Sequence, residues 1–91
     1  MELKWTGKAQ SDLQRLYDFL SSVNKPAAAI AMRKLVNAPT RLLYQPRMGE
    51  RLTEFSPREV RRIVIGPYEI RYELAGSTII ILRLWHARED R

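Results

Sequence analysis

Apolar residues along the chain change their spacing, and each change predicts an element. Leu3 and Trp5 alternate with Glu2 and Lys4, the two-residue period of a short strand with one buried face. From Gly7 to about Val23, Ala9, Leu13, Leu16, Tyr17 and Leu20 fall on one stripe of a helix. Thr6 is placed to cap it. Ser21, Ser22 and Asn24 break the pattern. Asn24 then suits the cap of a second helix, with Pro26 in a first turn where its missing N–H does no harm. Ala28, Ala31, Met32, Leu35 and later Leu42 form the second stripe, small enough for the two helices to pack closely as an antiparallel hairpin. Pro39 removes a helical donor, so a kink or short break is expected there, with Arg41 to Tyr44 resuming as a last turn.

Gln45 to Pro57, which holds Pro46, Gly49 and Pro57, reads as a loop crossing from the helices to a sheet. Leu52 and Phe55 are expected to anchor it. Val60 to Ile65 is rich in β-branched residues, and Gly66-Pro67 marks a turn. Tyr68, Ile70, Tyr72 and Leu74 then alternate with Glu69, Arg71 and Glu73, a half-buried strand of clear register. Ala75-Gly76-Ser77 is a hairpin turn, and Ile79 to Trp85 reads as an interior strand. The order predicts one α+β domain over residues 1–91, β-α-α-β-β-β, with a helical hairpin packed on a mainly antiparallel four-stranded sheet.

Composition narrows the chemistry. The chain has 91 residues, no cysteine and one histidine, which excludes a disulfide framework and a Cys- or His-based metal cluster. No cofactor or metal is expected. No run approaches the ~20 apolar residues of a membrane span. The start lacks a basic region followed by an apolar stretch, so the expected location is the cytoplasm. The net charge of +6 favours polyanions: nucleic acid, a ribosome or an acidic protein. All four lysines lie in the first half, and the second half carries nine arginines mixed with seven acids. Arginine forks match phosphate and carboxylate, yet cross-strand ion pairing would use the same groups.

Several segments resemble the RelE/ParE toxins of bacterial type II toxin–antitoxin systems. Lys4-Trp5-Thr6, with Ala9, Asp12 and Leu13, resembles the family's first strand and helix. Pro46 and Gly49 resemble its Pro-x-x-Gly loop. Arg58-Glu59-Val60-Arg61 and Gly66-Pro67-Tyr68-Glu69-Ile70-Arg71-Tyr72 resemble its middle strands, and Ile81 to Asp90 its last strand and tail. The resemblance implies a toxin neutralised by a cognate antitoxin. ParE-like members inhibit DNA gyrase, whereas RelE-like members enter the ribosome and cut messenger RNA. The tail His86-x-Arg88-x-Asp90 is closer to the ParE-like side. A degenerate toxin that only binds antitoxin is a third possibility.

These readings select candidate residues. Metal-free RNA cleavage needs a base, an acid and cations around the phosphate. Arg61, Arg71, Arg83 and His86 are the candidates for it. By strand alternation Arg83 and Trp85 would share a face with Ile79 and Ile81, and Arg61, Arg71 and Arg83 would converge on one sheet surface. Arg58, Arg62, Trp85 and Arg88 are the candidates for contact with the target. Lys8, Arg15, Lys25, Arg33 and Lys34 would meet an acidic antitoxin segment that folds on binding. Tyr68 and Tyr72 share the face of Ile70 and Leu74 and are expected in the core.

Overall fold

The computed structural model describes residues 1–89, so Asp90 of the tail pattern lies outside the described residues. Strand β1 is Glu2–Trp5, followed by helices α1 (Gly7–Ser21) and α2 (Lys25–Asn37). The Thr6 side chain accepts the Ala9 N–H, and the Asn24 side chain accepts the Ala27 N–H, each 3.0 Å away. Both helix starts are therefore capped as the sequence predicts. After Asn37 the chain tightens into a 3₁₀ turn, Ala38–Leu43, which is how it accommodates Pro39.

The crossing segment holds more structure than a plain loop. Glu50–Arg51 forms a two-residue strand, β2, followed by a 3₁₀ turn at Thr53–Phe55. Strands β3 (Glu59–Ile65), β4 (Tyr68–Ala75) and β5 (Thr78–His86) complete the sheet. Two-residue loops join them, with Gly66 at φ 57° and Gly76 at φ 60°, backbone that glycine adopts without strain.

The sheet has five strands in the order β1-β5-β4-β3-β2, one more than expected. The extra one escaped prediction because two residues cannot display an alternation. Only β1 and β5 run parallel. Ala9, Leu16, Leu35, Ala38 and Leu42 from the helical side bury against Ile63, Ile70, Tyr72, Ile79, Ile81 and Leu84 of one sheet face. That contact is the core.

Strand β5 departs from simple alternation. Arg71 pairs with Arg83 while Tyr72 pairs with Ile81, so Leu82 is an extra residue, a β-bulge. The bulge inverts everything after it. Ile79, Ile81 and Leu84 face the helices, and Arg83 and Trp85 face the other way. The expectation that Arg83 and Trp85 share a face with Ile79 and Ile81 is thereby corrected.

The Pro46-x-x-Gly49 segment closes on Tyr72. The Tyr72 hydroxyl donates to the Pro46 carbonyl at 2.7 Å and accepts the Gly49 N–H at 3.1 Å. A Cβ on Gly49 would lie 2.6 Å from the Arg62 carbonyl oxygen and 2.7 Å from the Tyr72 hydroxyl, so glycine is required for the approach. This clasp fixes β2 against β3.

Candidate functional site

The face of the sheet turned away from the helices carries the basic row. Arg62, Arg71 and Arg83 are direct cross-strand neighbours on β3, β4 and β5. Arg61, one residue out of phase, pairs with Tyr72 and belongs to the helix-facing side, so the expected convergence of Arg61 with Arg71 and Arg83 is corrected. Strand parity makes Arg62 the third member.

Three like charges in a row are tolerable only because each is neutralised. Arg62 donates to Glu50 at 3.1 Å and lies 3.5 Å from the buried carboxylate of Glu69. Arg71 lies 3.6 Å from Glu69, with its guanidinium over two rings, 4.7 Å from the centroid of Trp85 and 5.3 Å from that of Phe55. Flat delocalised cations stack well on aromatic faces, which accounts for arginine at this position. Phe55 thus anchors the crossing segment to Arg71. Trp85, 7 % exposed, lies beneath both Arg71 and Arg83.

Arg83 reaches over the sheet edge to Asp12 of α1, with bonds of 2.7 and 3.1 Å. Strand β1 ends at Trp5, opposite Ile81, so the outer edge of β5 beyond that point has no strand partner. Side chains of α1 replace one. The Leu84 N–H donates to Asp12 at 2.9 Å, and Arg15 donates to the Leu84 carbonyl at 3.2 Å. Arg15 also bonds Asp12 and clamps both oxygens of Glu89, at 2.9 and 3.0 Å. Glu89 accepts the His86 N–H. Burial opposes ionisation of Asp12, but Arg83, the Leu84 N–H and Arg15 outweigh it and hold its carboxyl below the ordinary value. Arg15 likewise holds Glu89 down.

The remaining candidates are dispersed. Arg61 bonds Glu59 at 2.9 Å and the Gly49 carbonyl at 2.7 Å. Arg58 forms a two-pronged pair with Glu73 at 2.7 and 3.1 Å. His86 packs edge-on against Tyr68, ring centroids 5.3 Å apart, and its Nδ1 accepts the Arg88 N–H. The Arg88 side chain is exposed at the tail, and Lys8, Lys25, Arg33 and Lys34 are exposed on the helices. Arg15, grouped with them from sequence, is instead committed to Asp12 and Glu89. Tyr72 is wholly buried and Tyr68 half-buried. The residue that sequence reasoning passed over is Asp12. Its signal was present: it falls three after Ala9 and four before Leu16, a charge on the buried stripe.

No group of three or more potential metal ligands occurs among the described residues, and no helix is long and apolar enough to cross a membrane.

The comparisons with known proteins agree. The profile described as "ParE toxin of type II toxin-antitoxin system, parDE" matches residues 3–91. "Toxin RelE2" of Caulobacter vibrioides is 33 % identical over 86 residues, covering 94 % of this chain and 94 % of that protein. A solved structure described as "Chromosomal ParDE TA system from P. aeruginosa" superposes with a TM-score of 0.80 at 29 % identity, over 94 % of this chain and 95 % of the other. The RelBE2 toxin–antitoxin complex of Mycobacterium tuberculosis shares the fold, with a TM-score of 0.58 at 20 % identity over 93 % and 88 % of the two chains. By sequence along nearly its whole length, and by a two-helix layer on a mixed five-stranded sheet, the chain belongs to the ParE toxin family of type II toxin–antitoxin systems.

Proposed function

We propose that this toxin acts by binding and inhibiting DNA gyrase, in the ParE manner, and is held inactive by its cognate antitoxin. The observation that carries the choice of target is the state of the groups a nuclease would need. Arg61, Arg71 and Arg83 do not share a surface, and each lies against a carboxylate. A phosphate approaching any of them would have to compete with that carboxylate, which would be left with its second arginine: Arg47 at Glu59, Arg62 at Glu69 and Arg15 at Asp12. His86 spends Nδ1 on a backbone N–H and its ring on Tyr68. None of the three arginines bonds it, so a base and cations do not meet around one reacting atom. A binding inhibitor needs none of that convergence. It needs an exposed surface of fixed shape, which the Arg58–Glu73 and Arg62–Glu50 ion pairs support, and the exposed Arg88 adds positive charge at the tail.

The test is DNA supercoiling by purified gyrase with the purified toxin added. Inhibition is expected, and His86→Ala is expected to inhibit as the unmodified chain does. Absence of inhibition at every achievable concentration, together with in-frame cuts in translated messages that vanish in His86→Ala, would establish the RelE-like ribonuclease instead.

A further inference from the structure

The arginines on the face turned away from the helices are each matched by a carboxylate. The helix-facing side keeps an excess of charge at its far edge, around β2. Arg51 is the cross-strand neighbour of Arg61 there. Arg61 reaches back to the carbonyls of Arg47 and Gly49, at 3.4 and 2.7 Å, so the crossing segment lies against it. Arg47 bonds both oxygens of Glu59, at 2.9 and 3.0 Å, and Arg61 shares one of them. Arg41 borders a shallow cleft with Met48 and Gly49. Glu50 lies on that cleft too, but Arg62 bonds it. Four guanidinium groups thus gather at one edge, with Glu59 as the carboxylate bonded among them. Arg41 and Arg51 are exposed and take part in no ion pair among the described residues.

Tyr44 stands amid this charge, three positions after Arg41 and three before Arg47. The 3₁₀ turn Ala38–Leu43 ends there, and the N–H groups of Tyr44 and Gln45 both close on the Arg41 carbonyl, at 3.1 and 3.0 Å. The turn holds the Tyr44 backbone beside that of Arg41 and leaves the residue 87 % exposed. A flat ring flanked by cations suits a single nucleic-acid strand: the cations follow the phosphates and the ring stacks on an unpaired base. A duplex keeps its bases stacked on one another, so it can use the cations but not the ring. An added protein strand has little to pair with. β2 is two residues long, stopped on one side by the clasp at Gly49 and on the other by the turn Thr53–Phe55.

We propose that this edge of the toxin binds single-stranded DNA, with phosphates on Arg41 and Arg51 and an unpaired base on Tyr44. Arg47 adds its field while it stays on Glu59. Guanidinium groups are donors only, so the site holds phosphate and does not select for a 2′-hydroxyl. The choice of DNA over RNA rests on the gyrase reading; the binding of a strand does not.

The experiment follows the fluorescence anisotropy of a labelled thymidine oligonucleotide as the full toxin is added, over a series of salt concentrations. Affinity is expected to fall with salt at a logarithmic slope of about −1.4, the value for two phosphates on a single strand. Tyr44→Ala should weaken binding by about fivefold or more at unchanged slope, and Tyr44→Phe, which keeps the ring, should bind as the unmodified chain does. Arg41→Gln and Arg51→Gln should each make the slope shallower by about 0.7. Lys4→Gln, at the opposite edge of the sheet, is the control and should leave affinity and slope as they were. All these side chains are exposed, so the variants should keep the unfolding midpoint of the unmodified chain. Absence of binding at low salt would overturn the proposal, and so would a Tyr44→Ala variant that binds as tightly as the unmodified chain. Tighter binding to the same sequence as a duplex, or to a polyglutamate peptide, would overturn it as well. Tighter binding to a uridine oligonucleotide would overturn the assignment to DNA. The gyrase reading fails on supercoiling and the strand reading fails on the Tyr44 ring, so the two failures are separate measurements.

Discussion

Replacing Asp12 with alanine tests how the sheet edge beyond β1 is held. Three consequences follow from the geometry. The buried Leu84 N–H loses its acceptor among the described residues, 2.9 Å away, at a cost of about 1–3 kcal/mol. Arg83 loses both its bonds to Asp12, but its side chain is 35 % exposed and can turn to water, so this adds only about 0–1 kcal/mol. Arg15, 41 % exposed, keeps Glu89 and contributes little more. The sum is about 1–4 kcal/mol, a large share of the roughly 5–15 kcal/mol that stabilises a small domain. For a chain of this length it corresponds to a fall in Tm of roughly 4–30 °C. Urea unfolding monitored by tryptophan fluorescence measures the loss as a shift in midpoint at constant slope. Asp12→Asn can still accept the Leu84 N–H, so it should lose less than half as much. A loss below about 1 kcal/mol for Asp12→Ala, with the Leu84 amide still protected from exchange, would refute the edge-replacement argument.

Further predictions concern the clasp, the acid limb and the stacked arginine. Gly49→Ala places a methyl 2.6 Å from the Arg62 carbonyl and should cost about 1–3 kcal/mol in the same urea assay. Tyr72→Phe strands the Pro46 carbonyl and Gly49 N–H and should cost about 1–3 kcal/mol. The carboxyls of Asp12, Glu59, Glu73 and Glu89 are all lower in the folded chain than their ordinary values of 3.8 for Asp and 4.5 for Glu. Their contribution is therefore complete above those ordinary values and is lost as pH falls through the lowered ones. Unfolding midpoints should be level from neutrality to about pH 5 and drop below about pH 4. Arg71→Lys keeps the charge but loses the planar stack on Phe55 and Trp85, so Trp85 emission should change and stability fall by about 1 kcal/mol.

The elements were legible because burial imposes a period on sequence. Thr6, Asn24, Gly66 and Gly76 marked their starts and turns through local backbone chemistry, which needs no knowledge of distant residues. What escaped was non-local. β2 is defined only by its partners Arg61 and Arg62. The bulge at Leu82 reads as an ordinary apolar residue in an apolar run, yet it reverses the facing of Arg83 and Trp85. The site suffered most, because a list of arginines does not say which carboxylate each one meets. Arg83 finds Asp12 seventy-one positions away, and that pairing takes it out of any phosphate site. The resemblance carried the family where periodicity could not, since the Pro46-x-x-Gly49 spacing acquires its meaning only when Tyr72 closes on it.

The extra residue in β5 divides that strand into two independently addressed halves. Up to Ile81, side-chain direction is counted from the Gly76 hairpin; from Arg83 onward it is counted from the tail. Substituting Leu82, which is half-buried, should be tolerated, whereas deleting it would roll the last four positions over, aiming a guanidinium at the aliphatic interior and Leu84 at water. Length at this point is therefore far less negotiable than identity, and drift among relatives should spare the count while changing the letter.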